Sequence, residues 1–362
     1  MVTNAGIAAD PCALSKGPSF PHLEEAWTAA VINYNGGSLL CDTVASIKKM
    51  AQQPIEVVVV DDGSTDDSLE TLRRRHPDVR IISQRHCGRP NAVRNVALRA
   101  SRTRYVLLSD NDIRFAPDAC QQLLRVLRQL PDAAVCTPLI VSEQDPGEIL
   151  ARSRPLHFLC WATTVEPRTV QDTDPDGLLE GIGGGIQLVD KERLGAVGCF
   201  DEDLAFGWSD GELHLRLMIA GWSCYVVPAA RIYHRRERKS PRSYGHFHNR
   251  CYIMLETYER RTLLLIAPAL VIFEILLLVY AIRSGSVRDY FRAYRDILLE
   301  LGEIRLKRRK IQNARKVSDK DVLCASNLDM PRYMRVNNAQ LSSINVLSLL
   351  FRGYWKIARP FL

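Results

Sequence analysis

Three short acidic clusters in the 362-residue chain contain side chains that could do chemistry. Each cluster follows a segment with the pattern of a strand or stands at the start of a predicted helix. Ligands of α/β proteins bind at the carboxyl ends of sheet strands, so the clusters lie where a site is expected. They are DDGS at 61–64, DND at 110–112 and SDGEL at 209–213.

The three clusters suit different tasks. A carboxylate in the first could accept a hydrogen bond from a base or a ribose. Asp110 and Asp112 could share a hard cation and a diphosphate. Asp210 could act as a general base that faces the same pocket. The structural alternatives are turns for the first two clusters, because Asp, Gly and Ser are common turn residues, and helix capping for the third.

Strand-like segments alternate with helical segments from residue 27 onward, and these elements must position the clusters. The apolar run at 55–60 (IEVVVV) is expected of a strand that is covered on both faces. The alternation predicts an α/β fold with a mainly parallel central sheet. The predicted strands are 27–34, 55–60, 79–83, 104–109 and 133–141, and the predicted helices are 38–51, 65–76, 90–100 and 117–130.

The C-terminal third of the chain has the pattern of a membrane-associated region. Segment 262–282 contains one charged residue, Glu274, and its length matches a bilayer core. The stretch 283–320 has twelve basic and five acidic residues, an excess equal to the net charge of +7 of the whole chain. Its first part is typical of a helix on an anionic membrane surface. Because the rest of the chain has no net charge, the sequence argues against binding to nucleic acid.

The charge distribution also bears on how the chain meets the membrane. A single span at 262–282 would place the basic stretch outside, against the tendency of basic segments to stay inside. We therefore expect a peripheral or re-entrant protein that binds the cytoplasmic face of the membrane through 260–320. The expected form is an in-plane or re-entrant hairpin broken near Pro268. The alternative is a helix buried in a dimer interface.

The cysteines and the first residues agree with a cytoplasmic location. None of the ten cysteines forms a C-x-x-C pair, and several lie in apolar runs, which indicates reduced, buried thiols. Residues 1–26 have no apolar segment behind a basic start, so we expect a loose N-terminal arm without a secretory leader.

Other motifs exclude or leave open further chemistry. There is no phosphate-binding G-x-x-x-x-G-K-S/T, and GIGGGI at 181–186 lacks the third glycine of a dinucleotide fingerprint. The glycines fit either a close backbone approach to a sugar or a flexible hinge. His246 and His248 have no third ligand nearby in the sequence, which favours a loop feature. We expect His214 and Arg216 to face solvent or to make ion pairs.

Six motifs in order resemble the family 2 glycosyltransferases of the GT-A fold. The resemblance covers residues 27–250, so we expect a loose arm at 1–26, a GT-A domain at 27–250 and a C-terminal membrane-associated region at 251–362. The motifs are VINYN (31–35), VVVVDDGSTD (57–66), CGRPNAVRN (87–95), LLSDNDIRFAPDA (107–119), GCFDEDLAFGWSDGELHLRL (198–217) and VPAARIYH (227–234).

The resemblance implies a set of residues that bind the nucleotide sugar. Asp61 matches the aspartate that contacts the nucleotide base, near the strand end at Asn33 and Tyr34. Arg94 and Asn95 match the donor-side Arg-Asn segment of the family.

The resemblance also implies a divalent cation, Mg²⁺ or Mn²⁺. Asp112 matches the metal-coordinating aspartate, and Asp110 is a second acidic partner on the nucleotide-sugar side. His234 matches a histidine found near the diphosphate, so we place it with Asp112 at the metal. A cation there would stabilise the departing nucleoside diphosphate.

Asp210 matches the catalytic base of the family's Glu-Asp motif. An inverting transfer needs such a base to take the proton of the acceptor hydroxyl. The chain departs from the family because Ser209 stands where the acidic residue is usual. This departure could alter the pKa of the base, or Glu212 could take over part of its role.

The sequence therefore predicts an inverting glycosyltransferase. It would move a sugar from a UDP-, dTDP- or GDP-linked donor to a hydroxyl of a lipid-linked or cell-envelope glycan. One alternative is a non-catalytic, glycosyltransferase-like protein that binds a nucleotide sugar or acts as a membrane scaffold. Another is a surface-binding protein whose α/β body is inert. Loops 142–185 and 235–250 would select the sugar, and no rule connects their residues to a particular hexose.

Overall fold

A computed structural model describes residues 26–151, 156–161, 169–171, 173–205, 207, 209–235, 243–328 and 339–362 of the chain. The expected N-terminal arm, apart from residue 26, lies outside the described residues. So do Phe206 and Trp208 of the fifth motif and residues 236–242 of the basic RRERKSPR stretch.

The first part of the chain follows the predicted alternation of strands and helices. The elements are β1 Trp27–Asn33, α1 Ser38–Lys48, β2 Glu56–Asp61, α2 Ser68–Arg75, β3 Arg80–Ser83, α3 Pro90–Ala100, β4 Tyr105–Asp110, β5 Ile113–Phe115, α4 Ala119–Gln129 and β6 Ala133–Ser142. They are followed by β7 Ile149–Ala151, β8 Leu156–His157, β9 Leu179–Glu180, β10 Gln187–Asp190, α5 Lys191–Leu194, α6 Gly211–Ile219 and β11 Ser223–His234.

One central sheet contains most of these strands, in the order β3-β2-β1-β4-β10-β6-β11-β5. Strands β3, β2, β1 and β4 are parallel to one another, and β6 is parallel to β11. Strand β10 is antiparallel to both of its neighbours and joins the two parallel groups. The predicted α/β fold is confirmed, with a mixed sheet in which short antiparallel strands supplement the parallel ones.

Apolar side chains cover both faces of the sheet. In β2, Val57 and Val59 belong to the core on one face, while Val58 and Val60 belong to the core on the other. All four valines are buried. A strand covered on both faces needs apolar residues at every position, which explains the four consecutive valines at 57–60. Ile55, which precedes β2, is exposed.

The C-terminal helices pack around a separate apolar cluster. They are α7 Ser243–Thr257, α8 Arg260–Arg283, α9 Val287–Ala314, α10 Asp319–Val322 and α11 Ala339–Ala358, with a short strand β12 Leu323–Cys324 that pairs with β8. Helix α7 runs unbroken across residue 250, and its side chains belong to this cluster. The C-terminal helical region thus begins at Ser243, and the boundary predicted at 250 falls inside a helix.

Helix α8 is the one helix among the described residues that is long and apolar enough to cross a membrane, by length and composition. It continues through Pro268, so the predicted break there is wrong. The chain reverses instead after α8, at a turn where Gly285 has a φ of 72°. Pro268 is tolerated because it lies on the exposed side of α8. The opposite side of the helix packs against the protein both before and after the proline. The buried stripe on that side is Thr262, Ile266, Ala269, Phe273, Leu277 and Tyr280.

The apolar side of α9 is largely used inside the protein. Tyr290, Ile297 and Ile304 are buried in the cluster shared with α7 and α8. The expectation of a helix whose whole apolar side faces a membrane is therefore corrected. What α9 leaves exposed is a smaller apolar set, Phe291, Leu298, Leu299 and Leu306.

The described cysteines partly follow the expectation of reduced, buried thiols. Eight of them are free, and five of these are buried. Cys199 departs from the expectation because it is disulfide-bonded.

Candidate functional site

The acidic clusters meet at one edge of the sheet. In the parallel ladders, Asn33 at the end of β1 pairs with Asp61 at the end of β2, and Ile32 pairs with Asp110 at the end of β4. On the other side, His234 at the end of β11 pairs with Ile113, the residue after Asp112. The carboxyl ends of β1, β2, β4 and β11 therefore place the candidate residues along a common rim.

Asn33 joins three of these strand ends through its side-chain amide. Its Nδ2 donates to Asp61 Oδ1 at 2.8 Å and lies within hydrogen-bond distance of the hydroxyls of Ser64 and Ser68. Its Oδ1 accepts from Asn111 Nδ2 at 2.8 Å. The residue is fully buried. Both ends of the Asn33 amide are thus engaged in hydrogen bonds within the protein, and its predicted contact with a nucleotide stays a prediction.

Asp61 is also buried, and both of its oxygens accept hydrogen bonds from the protein. The Ser64 hydroxyl donates to Oδ1 at 2.6 Å, and the Ser64 backbone N–H donates to Oδ2 at 3.0 Å. With Asn33, these bonds stabilise the turn after β2. In this structure Asp61 organises the turn, and its predicted contact with a base stays a prediction.

Asp62, the residue after Asp61, connects the same turn to the loop after β3. It accepts hydrogen bonds from the Gln84 side chain and from the backbone N–H groups of Cys87 and Gly88. Burial alone would raise the pKa of Asp62, but these hydrogen bonds lower it below its ordinary value. The loop that leads from β3 to α3 is therefore fixed against the end of β2.

Tyr34 is the exposed member of the nucleotide-binding set. Its ring is 46% exposed and stacks on His86, with ring centroids 4.1 Å apart. The His86 imidazole is anchored through Nδ1, which lies 2.9 Å from the Asp62 carbonyl oxygen. A stacked aromatic pair at the rim presents a flat surface of the kind on which a nucleobase can stack.

Asp112 and His234 face each other at the metal position expected from the sequence. Asp112 Oδ1 and His234 Nε2 are 3.7 Å apart, and both side chains are mostly buried. A carboxylate oxygen and an imidazole nitrogen at this separation fit two neighbouring ligands of one divalent cation. Within the described ranges, no group of three or more His, Cys, Asp or Glu side chains is arranged as a metal site. Any cation would thus need further ligands from water or from a bound diphosphate.

Arg94 approaches the rim from α3. Its Nη2 lies 3.7 Å from Asp110 Oδ1, and its Nη1 donates to Asn91 Oδ1 at 3.1 Å. The guanidinium is almost completely buried, and its Nε has no hydrogen-bond partner among the described residues. A buried cation with unused donor capacity is suited to an anionic ligand.

The glycine run at 181–185 lies against Arg94 and Asp210. A Cβ on Gly185 would overlap Arg94 Nη2 and would lie 3.4 Å from Asp210 Oδ2. A Cβ on Gly183 would overlap the Thr137 side chain. The absence of a Cβ at these glycines therefore allows the backbone to lie close to the side chains of Arg94 and Thr137.

Asp210 precedes α6 in the N-cap position, yet its side chain makes no capping hydrogen bond. The structural alternative, a carboxylate used to cap the helix, is not what the structure shows. The backbone carbonyl of the preceding residue, Ser209, accepts a hydrogen bond from Asn91 Nδ2 at 3.1 Å. Asn91 therefore links the segment that carries Asp210 to Arg94.

His214 lies inside the protein, so the expectation that it faces solvent is wrong. Its Nδ1 accepts from the Gly183 N–H at 3.0 Å, and its Nε2 is 2.7 Å from Gln187 Oε1. This arrangement needs a neutral imidazole with its proton on Nε2. Burial lowers the pKa of His214 to about 4, which agrees with that form. His214 thereby joins α6 to the glycine run.

Two further residues have structural contacts. Asn95 exchanges hydrogen bonds with the backbone of Phe200 and donates to Glu202, and its predicted contact with the donor stays a prediction. Glu212 is buried in an ion pair with Arg216, whose guanidinium also donates to the carbonyls of Val197 and Cys199. That pairing confirms the ion pair expected for Arg216 and leaves Glu212 no free oxygen for catalysis.

Sequence reasoning did not single out Asn91 or His86. Asn91 is fully buried and bonds to Asp201, Ser209 and Arg94, and His86 supplies half of the stacked pair. The spacing of Asn91 and Asn95, one helical turn apart, was the available signal, because polar residues at i and i+4 share a helix face. No comparable signal marked His86.

The fold is of the GT-A type, and comparisons with known proteins agree with this assignment. Residues 28–195 match the family model described as glycosyl transferase family 2. Over this range the chain is similar to family 2 glycosyltransferases, and together with its named relatives this match identifies it as a glycosyltransferase. The crystal structure of GalNAc-T7 with UDP, GalNAc and Mn²⁺ has the same fold, with a TM-score of 0.53 and 16% identity over 65% of this chain and 48% of that chain.

Two relatives are named for the acceptors to which they transfer a sugar. The N-acetylglucosaminyl-diphospho-decaprenol L-rhamnosyltransferase of Mycobacterium tuberculosis strain H37Rv is 25% identical over 240 residues, which are 58% of this chain and 76% of the relative. The poly(ribitol-phosphate) beta-glucosyltransferase of Bacillus spizizenii is 32% identical over 85 residues, which are 22% of this chain and 13% of that protein.

Substitution of Gly185 by Ala tests whether the position of Arg94 matters. The added Cβ would displace the end of the flexible Arg94 side chain, so the fold should persist while the site is disturbed. A displacement of about 1 Å can cost about 100-fold in rate. We expect sugar transfer by Gly185→Ala to fall by about that factor, with the thermal unfolding midpoint close to that of the native protein.

Gly302→Ala in α9 is the matched control for this substitution. Nothing lies within 4 Å of a Cβ at position 302, so the same chemical change should leave transfer intact. Full activity of Gly185→Ala would contradict the importance of the close approach.

Proposed function

We propose that this chain is an inverting glycosyltransferase that uses Asp210 as its general base. The observation that carries the proposal is the placement of Asp210. Its carboxylate caps no helix backbone group and lies beside Gly185, on the same rim as Arg94 and the strand ends. A carboxylate with this freedom, next to a buried cation, suits proton transfer at a polar reaction centre.

The proposed reaction is a single displacement. The acceptor hydroxyl oxygen forms a bond to the anomeric carbon of the donor as its proton passes to Asp210. The bond between the anomeric carbon and the diphosphate oxygen breaks on the opposite side, and the nucleoside diphosphate leaves with the electron pair. Arg94, close to Asp110 and to Asp210, would stabilise negative charge on the departing group.

The donor would lie along the rim from Tyr34 to Asp112. Its base would stack on the Tyr34–His86 pair, and its diphosphate would reach Asp112 and His234. These two side chains would hold a divalent cation, Mg²⁺ or Mn²⁺, which supplies charge stabilisation to the diphosphate when bound. A UDP-linked donor is the first choice because the solved protein of the same fold is described with UDP and Mn²⁺.

The proposed acceptor is a lipid-linked glycan. The mycobacterial relative is named for an N-acetylglucosaminyl-diphospho-decaprenol acceptor, and the C-terminal helices of this chain expose many apolar side chains. On α8 these are Leu264, Val271, Ile272, Ile275, Val279 and Ile282, and on α11 they are Val346, Leu349, Leu350 and Ile357.

We further propose that α8 lies in the plane of the cytoplasmic membrane surface and does not cross the bilayer. Glu274, near the middle of α8, forms an ion pair with Arg250 of α7 and accepts hydrogen bonds from Tyr290 and Tyr294 of α9. Arg250 also donates to the carbonyl oxygen of Leu159 at 2.9 Å. The middle of a spanning helix lies about 15 Å from either edge of the hydrocarbon core, whereas here it is bound to the rest of the protein.

Asp210→Asn should abolish transfer while preserving donor binding. The amide keeps the size of the side chain but cannot accept the hydroxyl proton. Loss of a general base typically costs about 10²- to 10⁴-fold in rate. The assay would supply UDP-, dTDP- and GDP-sugars with a polyprenyl diphosphate that carries N-acetylglucosamine, and donor binding would be measured by calorimetry.

Asp118→Asn, at an exposed aspartate that precedes α4, is the control and should transfer normally. Full activity of Asp210→Asn would refute Asp210 as the base. If the native protein binds a donor but transfers no sugar to any acceptor, the non-catalytic alternative replaces this proposal.

The membrane proposal predicts binding to anionic vesicles. Arg305, Arg309 and Lys310 are exposed on α9, and each basic residue near an anionic surface contributes about 1 kcal/mol. Replacing all three by Gln should weaken binding to phosphatidylglycerol vesicles by about 100-fold, because three such contributions are lost together. Co-sedimentation with the vesicles would measure the change.

The control is replacement of Arg73, Arg74 and Arg75, which are exposed at the end of α2, by Gln. This variant loses the same charge from the sheet domain and should bind vesicles almost as the native protein does. Equal weakening by both triple variants would show that binding follows net charge alone, and no vesicle binding by the native protein would refute the membrane proposal.

A further inference from the structure

Lys307 of α9 makes an unusually dense set of contacts for a residue in a basic surface helix. Its Nζ lies 2.6 and 2.7 Å from the two carboxylate oxygens of Asp201 and 2.6 Å from Asp203 Oδ2. It also lies 2.8 Å from the hydroxyl of Tyr252 in α7. From the sequence, Lys307 was one of the basic residues expected to face a membrane. In the structure its ammonium group contacts Asp201 and Asp203 of the α/β domain.

The residues that Lys307 contacts belong to the segment that ends at Asp210. The described residues between Asp201 and Asp210 form turns and bends, so no helix or sheet ladder fixes their positions. Side chains fix them instead. Asn249 of α7 exchanges hydrogen bonds with the backbone of Ala205 and donates to the Gly207 carbonyl.

A continuous set of contacts leads from Lys307 to the site. The Asp201 carbonyl oxygen accepts from Asn91 Nδ2 at 2.8 Å, and the same amide group donates to the Ser209 carbonyl. Asn91 Oδ1 in turn accepts from Arg94. Asn91 therefore couples the position of Asp201 to the positions of Arg94 and of Ser209, the residue before Asp210.

The charges around Lys307 explain why an ammonium is needed there. Asp201 is nearly buried, and Glu256 of α7 is fully buried with no hydrogen-bond partner for either oxygen among the described residues. Burial alone would lower the pKa of Lys307, but Asp201 and Asp203 raise it above its ordinary value. Without the lysine, Asp201 would lose its ion pair and Asp203 would keep, among the described residues, only Arg89, whose Nη1 lies 3.7 Å from Asp203 Oδ1. Removing one partner of a largely buried ion pair is costly, so we expect the segment to move.

We propose that Lys307 is a positioning residue that holds the segment bearing Asp210 in its active arrangement, so that transfer depends on the docking of α9 against the α/β domain. The inference rests on the proposed role of Asp210. It assigns a function to one residue of the basic stretch that is separate from attraction to an anionic surface.

The test compares Lys307→Met with Lys307→Arg and Arg73→Met in the full-length protein. Transfer would be measured with a UDP-sugar donor and a polyprenyl-linked acceptor in detergent micelles, which removes any effect of vesicle binding. We expect Lys307→Met to lower kcat by about tenfold, in the range of small misplacements of a catalytic group, with the KM for the donor unchanged. Lys307→Arg should recover most of the rate, because a guanidinium can contact both carboxylates. Arg73→Met removes an exposed charge from α2, outside the proposed site and the proposed membrane-binding set, and should leave kcat unchanged.

Hydrogen exchange provides a readout that does not need activity. In Lys307→Met the backbone amides of 201–205 and 209–211 should exchange faster, while those of β1, β2 and β4 keep their native rates. If the native protein shows no transfer, this local change still supports the positioning of the segment and only the role of Asp210 fails. Should Lys307→Met not fold, Tyr252→Phe removes one Lys307 contact and should show the same local change to a smaller extent. Native kcat and native exchange rates in Lys307→Met would overturn the proposal.

Discussion

The buried side-chain amide of Asn33 is the contact on which the rest of the site depends. The hydrogen bonds of a parallel ladder stop where the strands stop, so the segments that follow β1, β2 and β4 need another means of alignment. Asn33 provides it by bonding to Asp61, the serines of the next turn and Asn111. An unsatisfied buried amide costs about 1–3 kcal/mol, so loss of any partner would be felt by all three strand ends.

The site combines two parts that are positioned in different ways. The rim from Tyr34 to Asp112 is attached to strand ends and inherits the rigidity of the sheet. The segment that carries Asp210 has no such ladder and is held by asparagines of α3 and α7 and by Lys307 of α9. Helices of the sheet domain and of the C-terminal region therefore both contact the segment that carries the proposed base. Under the proposals made above, the C-terminal helices would take part in catalysis as well as in membrane contact.

Much of this arrangement could be predicted from the sequence, because strand and helix periodicity is local. The alternation from residue 27 predicted the sheet, and the position of Asp112 after a buried strand predicted its place at the sheet edge. His234 and the role of Asp210 came from the resemblance to the family 2 glycosyltransferases. The sequence pattern could not show which polar side chains form hydrogen bonds within the protein. Asn33 and Asn95 have the residue types of ligand-binding groups, yet both are saturated by internal hydrogen bonds.

The errors in the helical regions have a common physical origin. The proline at 268 predicted a break, but α8 packs by one continuous stripe on either side of it, and tertiary packing outweighs a local preference. His214 is polar and was expected outside, but two hydrogen-bond partners from distant segments make burial possible. Both outcomes depend on partners far away in the sequence, which periodicity does not reveal.

The central claim is that the rim binds a nucleoside diphosphate together with a divalent cation at Asp112 and His234. The most direct measurement is calorimetric titration of UDP, dTDP and GDP into the native protein and Asp112→Ala, each with and without Mn²⁺. The account predicts binding of one nucleotide that requires Mn²⁺ in the native protein and is lost in Asp112→Ala. Equal, metal-independent binding in both proteins, or no binding of any nucleotide, would contradict it.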